Sequence, residues 1–140
     1  MRNYLTKGVV TAICLAMVLV PAPVRAQGSD LGLTIRVSPS TTAPGTTVGV
    51  ISTVTNNSSS KIRTTVTFTS LSPCGDETSI GYNRMSLNPG QTLIVTVTYP
   101  IAADACVGMY EISIAAKTGG GGKNATAAAT PSATAFLMVQ

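Results

Sequence analysis

Three carboxylates and two thiols are the side chains of this sequence with the most chemical reach. Asp76 and Glu77 follow Cys74 closely, and Asp104 lies two residues before Cys106. Joining the two cysteines would bring Asp76, Glu77 and Asp104 to one end of the molecule. Three carboxylates with loop carbonyls are a donor set for Ca²⁺, a hard ion that takes oxygen ligands. A pair of them is also the equipment of a glycosidase acid and base, although no aromatic-lined cleft for a sugar is evident. The plainer reading is a solvated acidic turn, with Asp104 bonding local backbone N–H groups.

Other chemistry is excluded by composition. The chain has no histidine, which removes Ser-His-Asp and Cys-His catalysis, His-ligated zinc and the usual copper sites of β-sandwiches. Gly119 to Gly122 opens no helix, so it is no phosphate loop but a connecting loop. Two thiols without histidine lack the remaining ligands of a metal site, and a redox pair normally has Cys-x-x-Cys spacing. No cofactor is implied.

The thiols gain meaning from the N-terminus. Arg2 and Lys7 precede an apolar run from Gly8 to Val20, and Pro21-Ala22-Pro23 ends it ahead of Val24-Arg25-Ala26. This is the pattern of a secretory signal peptide, residues 1–26, cut between Ala26 and Gln27. The run is shorter than the roughly 20 residues that span a bilayer. Three of the nine basic residues lie in this segment and none of the five acidic ones does, which leaves residues 27–140 at net +1. The basicity of the whole chain is therefore a targeting property, and neither nucleic-acid binding nor membrane insertion after cleavage is expected. Residues 27–140 suit one domain. In an oxidising compartment Cys74 and Cys106 are expected to form a disulfide.

The elements that must position these groups are strands. Thr46 to Asn56 carries Val48, Val50 and Val54 at a period near two, the mark of a half-buried strand. Similar stretches are a first strand of Leu31, Leu33, Ile35 and Val37, then Lys61 to Leu71, Thr78 to Leu87, Gln91 to Tyr99 and Gly108 to Lys117. The last lies within Ala125 to Val139, where Pro131 points to an edge or a bulge. The Thr78 to Leu87 segment alternates less cleanly and is expected at an edge. Pro44-Gly45 and Pro89-Gly90 combine a fixed φ with a residue free to take positive φ, which makes tight turns. Seven such strands predict an all-β, Greek-key, immunoglobulin-like sandwich with one disulfide. In that topology Cys74, just after the third strand, and Cys106, just before the sixth, fall at the same end of two neighbouring strands.

The punctuation carries a resemblance. Ser38-Pro39, Ala43-Pro44-Gly45-Thr46-Thr47-Val48, Val54-Thr55-Asn56-Asn57-Ser58, Leu87-Asn88-Pro89-Gly90-Gln91-Thr92 and Gly108-Met109-Tyr110 resemble bacterial immunoglobulin-like modules of exported proteins. Among these is the CARDB type, the cell-adhesion-related domain of bacteria. The resemblance covers nearly all of residues 27–140. It implies a spacer, adhesive or carbohydrate-associated unit, usually within a larger protein. The sequence presents one such module, which departs from that setting.

Tyr110, near the start of the sixth strand, is placed for a structural tyrosine corner; the alternative is a simple core aromatic. The loops holding Asn57 and Lys61, Asn88, and Lys123 cluster at the end away from the carboxylates and are the candidate binding loops. Lys61, Lys117 and Lys123 at that end face Asp76, Glu77 and Asp104 at the other, an arrangement that would favour head-to-tail self-association. Asn56, Asn57 and Asn124 also stand in Asn-x-Ser/Thr sequons. The expected function is a secreted or periplasmic, non-enzymatic binding or adhesion module, its partner an envelope protein or polysaccharide. The alternatives are a structural subunit assembling through an edge strand and, remotely, a carboxylate hydrolase.

Overall fold

Period-two burial recurs along the strands and sorts their side chains into a core and two outer faces. The computed structural model describes residues 30–118 and 130–140. Residues 1–26, expected to be a signal peptide, with the Ala26–Gln27 junction, the glycine run, Lys123 and Asn124, lie outside them. Eight strands form in chain order: β1 (Leu31–Ser38), β2 (Thr41–Thr42), β3 (Thr47–Asn56), β4 (Ile62–Leu71), β5 (Glu77–Leu87), β6 (Thr92–Pro100), β7 (Gly108–Thr118) and β8 (Ser132–Val139). One sheet has the order β1-β3-β6 and the other β2-β8-β7-β4-β5.

The strand expected first as a half-buried ribbon, β3, buries Val48, Val50, Ser52, Val54 and Asn56 on one parity. From the facing sheet β4 contributes Val66 and Phe68, β7 contributes Tyr110, Ile112, Ile114 and Ala116, and β8 contributes Leu137 and Val139. Each fully buried Val, Leu, Ile or Phe is worth about 1.5–3 kcal/mol. β5 buries only Leu87 and is the edge of its sheet, as its irregular alternation predicts. A register shift between Phe68 and Thr69 interrupts its pairing with β4.

The count of seven strands is corrected to eight. The additional strand, β2, has two residues and pairs parallel with the end of β8. It is held by hydrogen bonds from Met138 N–H to the Ser40 carbonyl and from Gln140 N–H to the Thr42 carbonyl, both 2.9 Å. Two residues between Pro39 and Pro44 are too few to show a period, so the sequence pattern could not reveal it. The Pro-Gly turns form as expected. Gly90 has φ 73°, and the Gln91 N–H closes the turn on the Asn88 carbonyl at 3.0 Å. Among the described residues no helix is long and apolar enough to cross a membrane.

Candidate functional site

The two ends of the strands have different character. At one end the β4–β5 and β6–β7 connections are joined by the Cys74–Cys106 disulfide, with Cα atoms 6.2 Å apart. The register explains why: β4 and β7 are antiparallel neighbours, with Leu71 opposite Glu111, so the end of one strand meets the start of the other. Asp76, Glu77 and Asp104 are all exposed at this end, and Glu111 adds a fourth carboxylate. Among the described residues no group of three or more His, Cys, Asp or Glu side chains is arranged to hold a metal ion. Sharing one end does not make the carboxylates converge, because they ride on separate turns and strands.

Tyr110 stands beneath this end and is almost fully buried. Burial, and then the neighbouring charges of Tyr99 and Asp76, push its phenol above the ordinary tyrosine value. A hydrogen bond with the Cys106 backbone acts in the opposite sense.

The other end is organised by a residue that looks like part of a polar loop in the sequence. Asn56 is fully buried. Its amide donates to the carbonyls of Ser60 (2.8 Å) and Leu87 (3.0 Å). Its Oδ1 accepts from the N–H and hydroxyl of Ser58 at 2.9 and 2.8 Å. Its backbone takes part as well: Asn56 N–H donates to the Gln91 carbonyl, and the Asn56 carbonyl accepts from Gly90, both at 2.9 Å. One side chain therefore fixes the β3–β4 and β5–β6 loops relative to each other. The candidate binding residues sit on this support. Asn57, Lys61 and Asn88 are exposed; Asn57 N–H donates to the Asp30 carbonyl, and Asn88 N–H donates to Gln91 Oε1. Burial takes Asn56 out of the accessible sequons.

Sequence reasoning missed the neighbouring sheet surface. On the outer face of the five-stranded sheet, Thr65 pairs with Arg84 of β5 on one side and Lys117 of β7 on the other. Arg63 is two residues along on the same face, and Tyr82, 69% exposed, is two residues from Arg84. A shallow open depression of about 340 Å³ is lined by Arg63, Thr64, Thr65, Arg84, Met85 and Ser86. These cations stand at the loop end, whereas Glu77 and Glu111 occupy the same face at the disulfide end. The pairing register creates the cluster, so no local motif announces it.

No protein-family model matches the chain, and no curated protein matches it in sequence. Solved structures share its fold. A CARDB domain from Pyrococcus furiosus, in complex with di-metal ions, has a TM-score of 0.61 at 18% identity, covering 85% of this chain and 95% of that one. The Pseudomonas fluorescens alkylpurine DNA glycosylase AlkC, bound to DNA containing an abasic site analog, gives 0.62 at 11% identity, covering 81% of this chain. The Escherichia coli alpha-2-macroglobulin gives 0.56 at 15%, covering 77% of this chain. The chain spans 31% of the glycosylase and 6% of the macroglobulin. At these identities the likeness is one of fold: a CARDB-like, all-β module of two sheets with one disulfide.

Proposed function

We propose that this chain is an exported, non-enzymatic, immunoglobulin-like module, residues 27–140, that binds a partner at the cell envelope. The observation that carries the reading is the loop end. The Asn56 network holds two loops in one arrangement beside the exposed cations Lys61, Arg63, Arg84 and Lys117, and a fixed, charged surface lowers the ordering cost of binding. The strand order supports the immunoglobulin-like topology, with the β3–β6 pair and the β4–β7 pair in opposite sheets. The hydrogen bond of Tyr110 with the Cys106 backbone supports the reading of Tyr110 as a tyrosine corner, and the disulfide fits an oxidising compartment.

The test is retention of the purified, oxidised protein on envelope fractions and on isolated cell-wall polysaccharide. Saturable retention that weakens when Lys61 and Arg63 are replaced by alanine is the expected result. Absence of saturable retention on any fraction would overturn the reading. N-terminal sequencing of the exported product should begin at Gln27.

A second reading, a subunit that assembles by strand addition, is favoured by one observation. β2 pairs with β8 only at Met138 and Val139, which leaves Ser132 to Leu137 without a hydrogen-bonded strand partner on that side among the described residues, although β1 of the other sheet packs close to β8.

A further inference from the structure

We infer that the outer face of the five-stranded sheet, around Thr65, is a binding site for an acidic polysaccharide. The inference rests on the binding-module reading and specifies both surface and ligand.

The cations are placed by register. Neighbouring strands lie about 4.8 Å apart, so Arg84 and Lys117 flank Thr65 from positions about 10 Å apart, and Arg63 sits about 7 Å along β4. Among the described residues none of the three makes an ion pair. Four of the five carboxylates, Asp76, Glu77, Asp104 and Glu111, belong to the disulfide end, and the fifth, Asp30, precedes β1 in the other sheet. The guanidinium groups are therefore free to accept an external anion. Two arginines suit carboxylate or sulfate oxygens, which their planar forks bind in pairs.

The rest of the surface selects among polyanions. Tyr82 offers an exposed ring, apolar on its face and polar at its tip. It stands two residues, about 7 Å, from Arg84 on the same side of β5. A sugar ring over Tyr82 would carry an acidic substituent within reach of Arg84. The surface around them is hydroxyl-bearing, with Thr67 opposite Tyr82, Thr65 opposite Arg84 and Ser86 opposite Arg63, matching sugar hydroxyls rather than acyl chains. The other exposed ring of this face, Phe136, lies opposite Glu111 at the disulfide end, so no row of aromatics runs along the cations for successive bases to stack on, as single-stranded nucleic acid requires.

The experiment is affinity electrophoresis of the purified, oxidised protein through gels containing polygalacturonate, dextran sulfate or neutral dextran. The wild type should be retarded by polygalacturonate and not by neutral dextran. Dextran sulfate tests whether the anion must be a carboxylate. The R63A/R84A pair should weaken retardation by about tenfold or more. Y82A should weaken it at unchanged charge, while Y82F should retain it. All these residues are surface-facing; S113A on the same face serves as the control for folding, and R36A, on β1 of the other sheet, as the control for general charge.

Unchanged retardation of R63A/R84A by polygalacturonate would overturn the site. So would equal retention by poly(dT) or by vesicles of phosphatidylcholine and phosphatidylglycerol. Retardation by neutral dextran that ignores R63A/R84A would overturn the anionic site and leave the binding-module reading standing. Failure to be retained by any of these, or by envelope fractions, would remove both. Sedimentation at low salt separates the remaining occupant: self-association abolished by R63A/R84A would mean that a second copy, through its Glu77 and Glu111 end, covers the face.

Discussion

Asn56 and Leu87 belong to different sheets, and the Asn56 side-chain amide donates to the Leu87 carbonyl at 3.0 Å with both residues fully buried. The bond ties the last residue of β3 to the last residue of β5 across the sandwich. Replacing Asn56 by alanine takes the side-chain donor from the buried Leu87 carbonyl and the acceptor from the Ser58 N–H, at about 1–3 kcal/mol for each unsatisfied group; the Ser60 carbonyl still accepts from the Ser58 hydroxyl. Asn56→Ala should therefore lower the urea midpoint by an amount equivalent to about 2–4 kcal/mol. Asn56→Asp should be worse, because an ionised carboxylate cannot donate to Leu87 or Ser60. Asn57→Ala, next along the chain and exposed, should change stability by less than about 0.5 kcal/mol. Equal effects at the two positions would contradict the hub.

The disulfide closes a loop with a sequence separation of 32 residues, and the chain-entropy model assigns such a loop about 3–4 kcal/mol. That equals one or two fully buried core side chains, so it is a staple on a core that can form without it. Replacing both cysteines by serine should leave a folded protein with a lower urea midpoint. Unfolding of the double variant at room temperature without denaturant would show that the core is weaker than its burial indicates.

Much of this architecture was legible in the sequence because period-two burial depends only on local alternation. Val48, Val50 and Val54 of β3 and Tyr110, Ile112 and Ile114 of β7 all face inward as their spacing predicts. Asn56 was hidden by its type: it stands on the inward parity of β3, yet an asparagine beside Asn57 and three serines resembles a loop. Parity was the available signal, and residue polarity argued against it. The Arg63, Arg84 and Lys117 cluster could not be read at all. It depends on which residue of β5 and which of β7 meet Thr65, and a register shift between Phe68 and Thr69 separates that pairing from a simple hairpin count.

Ser52 and Ser70 are buried in the core, one from each sheet, and their hydroxyls have no hydrogen-bond partner. A buried hydroxyl without a partner costs about 1–3 kcal/mol, while alanine fills nearly the same space. Ser52→Ala and Ser70→Ala should each raise the melting temperature, with a gain of about 1 kcal/mol. A lower melting temperature in both would mean that the hydroxyls are satisfied after all.

The Tyr110 phenol has a raised pKa, chiefly through burial, so the folded state holds this proton more tightly than the unfolded chain does. Its contribution to stability is complete below the unfolded value of about 10 and is lost as pH rises through the folded value. Melting curves between neutral pH and pH values above about 10 should therefore fall more steeply for the wild type than for Tyr110→Phe. At neutral pH the phenylalanine variant should be less stable by about 1 kcal/mol, the usual net value of one hydrogen bond. Parallel curves would show that Tyr110 does not titrate differently on unfolding.

Gly108 opens β7 with φ 137°, and a Cβ added there would come within 3.1 Å of the Pro73 ring. Pro73 precedes Cys74, and Gly108 is two residues after Cys106, so this close approach lies beside the disulfide. Gly108→Ala meets two costs: a backbone conformation that L-residues rarely adopt, at about 1–3 kcal/mol, and a tight contact at 3.1 Å that the Pro73 ring must relieve by shifting. Gly90 separates them. Its φ is also positive, but an added Cβ meets nothing within 4 Å, so Gly90→Ala carries the backbone cost alone. Gly108→Ala should therefore destabilise by more than Gly90→Ala. Pro73→Ala, which trims the ring Cγ from the contact, should recover part of the excess in the Gly108→Ala background and none in the Gly90→Ala background. Urea midpoints for the wild type, the three single variants and the two double variants give the coupling directly. A coupling of zero between positions 73 and 108 would mean that the Pro73 ring yields freely to the added methyl and that this contact does not hold the two turns together.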